Sequence, residues 1–392
     1  MHVRPVEHRA QQEYFADGMV EEIITALSKM RWFFVIARNS SFTYKGRAVD
    51  VKQVARELGV RYVLEGSVRK AGNRVRITGQ LVDTTTGAHI WADRFDGALE
   101  DIFELQDQIA GSVVGAIEPK LRQSEIERAV RKLTESLDAY DLYLRALAKF
   151  HQYSEEGLRE AIALLKQALA VDPTYAPAAA MIGWCRLGQR VQGWGAASDI
   201  EVADAVQLAR RATETARDDA DTLWRAAFTL SAFAGEHTTA ATVIDRALAL
   251  NPNSAHAWTA RGWICCYQNQ PDLAIKAFER SVRLSPLDPM GYHFTAGRAL
   301  AHMIAGRYEE AMVWADRSLS ELPRYAPAIR TKVVACAQLG RMGEARDLLS
   351  RMIVLQPDLT ISGFKAYAAK NFPPEILNVY VEGLRKAGLP EV

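Results

Sequence analysis

Net charge, redox chemistry and membrane signals are all scarce in this chain. Forty-eight Lys and Arg stand against 47 Asp and Glu, a formal net charge of +1, so composition gives no pull toward nucleic acid or an anionic membrane. The four cysteines, Cys185, Cys265, Cys266 and Cys336, lack metal-ligand spacing and sit beside small apolar residues; that pattern reads as reduced core thiols. No apolar run approaches the roughly 18 residues of a membrane span, and MHVRPVEHRAQQ at the start has charges without the apolar core of a signal peptide. Also missing are G-x-x-x-x-G-K-[ST], a G-x-G-x-x-G opening a helix, H-E-x-x-H and G-x-S-x-G. The eight histidines are scattered. The expectation is a cytoplasmic, non-enzymatic protein with no metal, no cofactor, no membrane span and no direct nucleic-acid contact.

What is present suffices for two or three domains: 392 residues, 49 % of them apolar. Val20, Ile23, Ile24 and Leu27 share one helical face in DGMVEEIITALSKM, with Asp17 placed to cap the first turn. WFFVIAR, residues 32 to 38, reads as a buried strand, and VKQVAREL, Val51 to Leu58, as a helix stopped by Gly59. Residues 61 to 97 alternate apolar and polar side chains through three strands, with turns at Ala71 to Asn73 and Thr85 to Gly87. Ile102, Leu105, Ile109, Val113 and Ile117 then give a helix that Pro119 is expected to perturb, followed by the helical stretch LRQSEIERAVRK. A small α/β domain over 1–97 and a helical connector over 98–136 follow.

The rest of the chain repeats itself. Pro173, Pro252, Pro286, Pro323 and Pro357 each follow an alanine by twelve residues, namely Ala161, Ala240, Ala274, Ala311 and Ala345. The seventh residue after each alanine is Ala168, Ala247, Ser281, Ser318 or Met352. Two short antiparallel helices pack closely only where small residues sit at their crossing, and proline ends the second helix. Trp258, Gly262, Ala274, Phe278 and Pro286 complete the motif, and the spacing resembles the tetratricopeptide repeat. Ala205, Ala209 and Ala212 supply one further unit, whose helices are split by the loop VQGWGAASDIEV. Six repeats are expected over 137–357, stacked as an α-α superhelix, with a capping helix, EILNVYVEGLRKAG, within 358–392. The fold class expected is mainly α, with a small α/β domain first.

About residues 13 to 97, from YFADGM to RFDG, resemble the TolB-like (FlgO-like) amino-terminal domain. The resemblance implies a bacterial regulator, because that domain often precedes tetratricopeptide repeats and follows a class III adenylate/guanylate cyclase or a winged-helix DNA-binding domain. Family members open this domain with an apolar strand of the type VLPF, for which MHVRPVEHRAQQ offers only HVRPV. The resemblance implies a non-catalytic interaction or regulatory module of a bacterial signalling protein or, as the alternative, the regulatory half of a cyclase or winged-helix transcription regulator whose effector domain is absent from this chain.

Repeat units of this kind line a concave groove with the second, fifth, ninth and thirteenth residues of each unit. Counted from Asp221, Ala255, Tyr292 and Ala326, those places include Arg225, Thr229, Phe233, His256, Trp263, Tyr267, His293 and Arg330. Arginines and aromatics are the types that anchor interfaces, so the expected partner is a protein or peptide held in that groove, and self-association is left open. Trp194 in the enlarged loop is either a second contact or a ring folded back on the array.

Overall fold

A computed structural model of the chain describes residues 6–30, 34–36, 38–46, 50–71, 74–98, 102–131, 138–195, 198–286 and 288–392. They form two compact units, 1–125 and 126–392.

In the first unit, helix α1 (Val6–Ser28) precedes the short turn α2 (Arg38–Ser41), helix α3 (Val51–Leu58), strands β1 (Tyr62–Ala71), β2 (Arg74–Asp83) and β3 (Ala88–Ala98), and helix α4 (Ile102–Arg131), which runs across the division between units. Asp50 caps α3 by accepting the Lys52 N–H at 2.9 Å, and Gly59 ends it in the left-handed region. The strands pair antiparallel in the order β1-β2-β3, with a register shift between Leu81 and Val82. Alternation on β2 sends Val75, Ile77 and Leu81 into a core shared with Met19, Leu27 and Met30 of the α1 segment and Val113, Ile117 and Leu121 of α4.

Two expectations for this unit fail. Asp17 does not cap a helix start, because α1 begins at Val6; its carboxylate instead accepts Lys45 Nζ at 2.5 Å. The strand expected over 32–38 is absent from its described part, 34–36, where Phe34 is 83 % exposed. A strand exists only through ladder partners, and this run pairs with neither edge of the sheet. Helix α4 continues through Pro119. Ile117 before the proline and Leu121 after it are both buried, and two such side chains, at about 1.5–3 kcal/mol each, offset the roughly 3 kcal/mol a proline costs inside a helix. Of the expected turns, 84–87 is a turn, while positions 72 and 73 lie outside the described residues.

The second unit holds, among its described residues, seven antiparallel helix pairs: α5 (Ala139–His151) with α6 (Glu155–Val171), α7 (Ala176–Gln192) with α8 (Asp199–Thr215), α9 (Ala220–Thr229) with α10 (His237–Leu250), α11 (Ala255–Tyr267) with α12 (Pro271–Leu284), α13 (Gly291–Ile304) with α14 (Tyr308–Glu321), α15 (Ala326–Gln338) with α16 (Met342–Leu355), and α17 (Ile361–Ala368) with α18 (Pro374–Ala387). They stack into an α-α superhelix with one continuous apolar core. The spacing that marks the repeats is explained by burial: Ala161, Ala240, Ala274, Ala311 and Ala345, with Ala168, Ala247, Ser281, Ser318 and Met352, are all 0 % exposed. Pro173, Pro252, Pro286, Pro323 and Pro357 each stand two residues beyond the end of a second helix, where a missing N–H costs nothing.

Phe278 shows how tight the crossings are. A Cβ added to Gly262 would lie 2.7 Å from its ring, and one added to Gly297 would lie 2.3 Å from it, so α11 and α13 approach that ring only through glycine. The turns inside the pairs need left-handed backbone, supplied by Gly235, Gly306, Gly340, Asn269 and, at φ 41, Tyr153. Where one capping helix was expected after Pro357, two helices form, and Gly383 of α18 packs flat on Val334 of α15.

Candidate functional site

The first helix of each pair faces the inside of the superhelix, and the inside is filled with rings. Trp184 of α7 meets Phe228 of α9 at 5.6 Å between ring centroids, and Trp263 of α11 stacks on His293 of α13 at 5.1 Å and 13°. Tyr292 and Tyr325 meet edge to face at 4.9 Å, and Tyr267 meets Phe372 at 5.4 Å. Phe372 belongs to the α17–α18 turn, so the last pair closes the aromatic cluster begun by the earlier ones.

The coil also closes on itself through polar groups. Gln192, at the end of α7, donates to Arg324 O at 2.9 Å and accepts the Ala326 N–H at 2.8 Å, reaching from the second pair to the sixth. Gln356 Nε2 donates to Val191 O at 3.0 Å, and His237 Nε2 lies 3.1 Å from Lys370 O. A cavity of about 50 Å³ remains inside.

Of the eight residues singled out from sequence, Trp263, Tyr267, His293 and Arg330 line this cavity together. The other four are off its wall. Arg225 is 6 % exposed, donates to Asp221 O at 2.9 Å and lies over the Trp224 ring. Thr229 is fully buried and donates to Arg225 O. Phe233 sits in a π-helical turn, Leu230–Ala234, beneath Arg190. His256 is half-buried, stacks on Trp224 and lies 3.6 Å from Asp288. Trp194 is partly buried and packs edge-on against Tyr153 at 5.5 Å, folded back on the array.

Burial sets the titration of this interior. His293 is held neutral, its pKa pushed down to about 3 by desolvation and secondarily by His256, and its Nδ1 shares a 2.8 Å hydrogen bond with the Tyr325 hydroxyl. The Cys185 thiol is raised to about 12, and Cys266 well above its ordinary value, also by burial. All four cysteines are free and buried. Among the described residues, no three His, Cys, Asp or Glu come together as a metal site, and no helix is long and apolar enough to cross a membrane.

Several wall residues escaped the sequence reading: Trp184, Phe228, Tyr325 and the closing-pair residues Phe364, Tyr367 and Asn371. Two of these had a signal. Counted from the true helix starts, Ala176 and Ala220, the ninth residues are Trp184 and Phe228, equivalent to Trp263 counted from Ala255. Starting the third unit at Asp221 turned the count by one residue, about 100° of helix, and selected Thr229 instead.

These stacked pairs define a tetratricopeptide-repeat array. A tetratricopeptide-repeat family profile matches residues 226–289 and 266–327. The chain is similar to a protein of Rhizobium meliloti named "Putative adenylate cyclase 3", 45 % identical over 205 residues, which are 52 % of this chain and 35 % of that protein. The match thus spans about a third of that relative's length. Among solved structures, the hetero-tetramer Cut9-Hcn1 of the APC/C is similar with a TM-score of 0.46 and 13 % identity, covering 74 % of this chain and 49 % of that one. Pseudomonas aeruginosa pilF is similar with a TM-score of 0.38 and 16 % identity, covering 64 % of this chain and 99 % of that one.

Proposed function

We propose that this chain is a non-catalytic protein–protein interaction module of a bacterial signalling protein. The observation that carries the reading is the repeat array itself, whose units bury their regularly spaced alanines at the helix crossings. The TolB-like resemblance of about residues 13 to 97 and the similarity to a protein named as an adenylate cyclase support a regulatory place in cyclic-nucleotide signalling. The domain scheme goes with it: a TolB-like domain over 1–97, a connector over 98–136, repeats over 137–357 and a cap over 358–392. The partner segment lies along the inner faces of the first helices, around Arg225, Thr229, Phe233, His256, Trp263, Tyr267, His293 and Arg330. Rings fill these inner faces and Gln192 and Gln356 pin the coil, so this seat requires those contacts to release first.

Affinity capture from a bacterium that encodes the chain tests this, with the native protein and the double variant Gln192→Ala/Gln356→Ala as parallel baits. The double variant should recover several-fold more of the same partner. Equal recovery would move the partner to the outer surface, and no partner with either bait would overturn the module reading. A second reading, regulation of a winged-helix transcription regulator, rests on the TolB-like resemblance alone, and recovery of a cyclase rather than a DNA-binding protein decides between them.

A further inference from the structure

Arg330 of α15 is 7 % exposed and lies over the rings of Phe364 and Tyr367, at 5.4 and 5.7 Å. Its Nε has no hydrogen-bond partner, and the residues lining the cavity beside it include no Asp or Glu. Two other wall residues share this condition: Trp263 Nε1 and Asn371 Oδ1 are buried without a partner. On the same wall Thr331 is paired with Tyr380 at 3.1 Å, and His293 with Tyr325, while away from the wall Trp224 Nε1 and Arg225 Nε also lack a partner. Buried polar groups are normally satisfied, and a buried cation is normally matched by an anion. The rings over which Arg330 lies offset only part of its desolvation.

We propose that this cavity is a binding site for a small monocarboxylate, held by the Arg330 guanidinium and the Trp263 indole N–H. The charge, the geometry and the size each narrow the ligand. One guanidinium with no carboxylate on the wall is neutralised by a single negative charge, whereas a phosphate dianion would carry uncompensated charge into an aromatic interior. The planar guanidinium matches the two oxygens of a carboxylate. Phe228, Tyr267 and Phe372 offer the apolar wall for a short hydrocarbon body. A cavity of about 50 Å³ favours a short acid over a long one. Asn371 serves the anion with its amide turned so that the NH₂ faces it, the O and N positions being interchangeable by a half-turn of the group. The site belongs to the closed coil and does not depend on the interaction-module reading.

Titration of the full chain with sodium propionate, followed by thermal melting and by tryptophan fluorescence, tests the assignment. Propionamide serves as the neutral isostere, inorganic phosphate as the dianion and hexanoate as the oversized acid, all at matched ionic strength and neutral pH. Propionate is expected to raise the melting temperature saturably, with the other three producing no saturable rise. Arg330→Met keeps the length of the stem and should abolish the effect. Trp263→Phe keeps a ring under His293 and should weaken binding by about tenfold. An equal rise with propionamide, a rise with hexanoate, an undiminished response in Arg330→Met with native helicity, or no response to propionate at all would overturn the proposal; the last outcome means that water alone fills the cavity.

Discussion

His293 carries the clearest residue-scale consequence of burial. Its imidazole stays neutral in the fold down to about pH 3, while in the unfolded chain it titrates near pH 6.5. Between those values the unfolded state binds one more proton, so stability is full above about pH 6.5 and falls by about 1.4 kcal/mol per pH unit below it. His237 and His302, also held down by desolvation, add to the same slope. Urea midpoints across that range should fall with acidity, and His293→Phe should lower the slope by one proton; an unchanged slope in the variant would count against this account. At this scale the sequence was most readable where sterics act locally. A crossing that tolerates only Ala or Ser writes its constraint at one position, so the small residues from Ala161 to Ser318 were found by spacing and are fully buried. Arg330 and Trp263 were reached by counting positions along their units, while Phe228 was lost through a one-residue error in the start of its helix.

Elements that depend on partners far away in the chain were less legible. Residues 34–36 have strand composition and no strand, because no ladder edge reaches them. Pro119 reads as a perturbation between two helical stretches, and a core on both sides of it holds them as one helix, α4. The polar closure was invisible beforehand, since nothing in Gln192 or Gln356 as letters says that either meets a backbone group more than a hundred residues away. Gln192 is 3 % exposed and makes two bonds to the start of the sixth pair. Gln192→Ala would leave the Ala326 N–H buried without it, at a cost of about 1–3 kcal/mol when no water replaces it. Hydrogen exchange at the Ala326 amide should accelerate by at least tenfold, about 1.4 kcal/mol of lost protection. Unchanged protection there would show that the contact holds nothing.

At the scale of the whole array, closure changes how the repeats come apart. An open stack of units couples only neighbours and frays from its ends, whereas here the second and sixth pairs are joined directly. The free cysteines report on this, because Cys185, Cys265, Cys266 and Cys336 lie in the second, fourth and sixth pairs and are all buried. Their thiolates are disfavoured by burial, Cys185 to a pKa of about 12 and Cys336 to about 11, so labelling proceeds through opening. All four should react together, at one rate set by unfolding of the array; faster labelling of Cys336 than of Cys265 would indicate fraying. The repeat architecture was readable from a local period, but its closure was not, since it is the sum of many small rotations from one pair to the next. A chain of links whose far members are pinned behaves as a closed linkage, in which the rotations at all joints must cancel. An extra residue in any one turn between the second and sixth pairs therefore has to be absorbed by every other joint, or the pin must break.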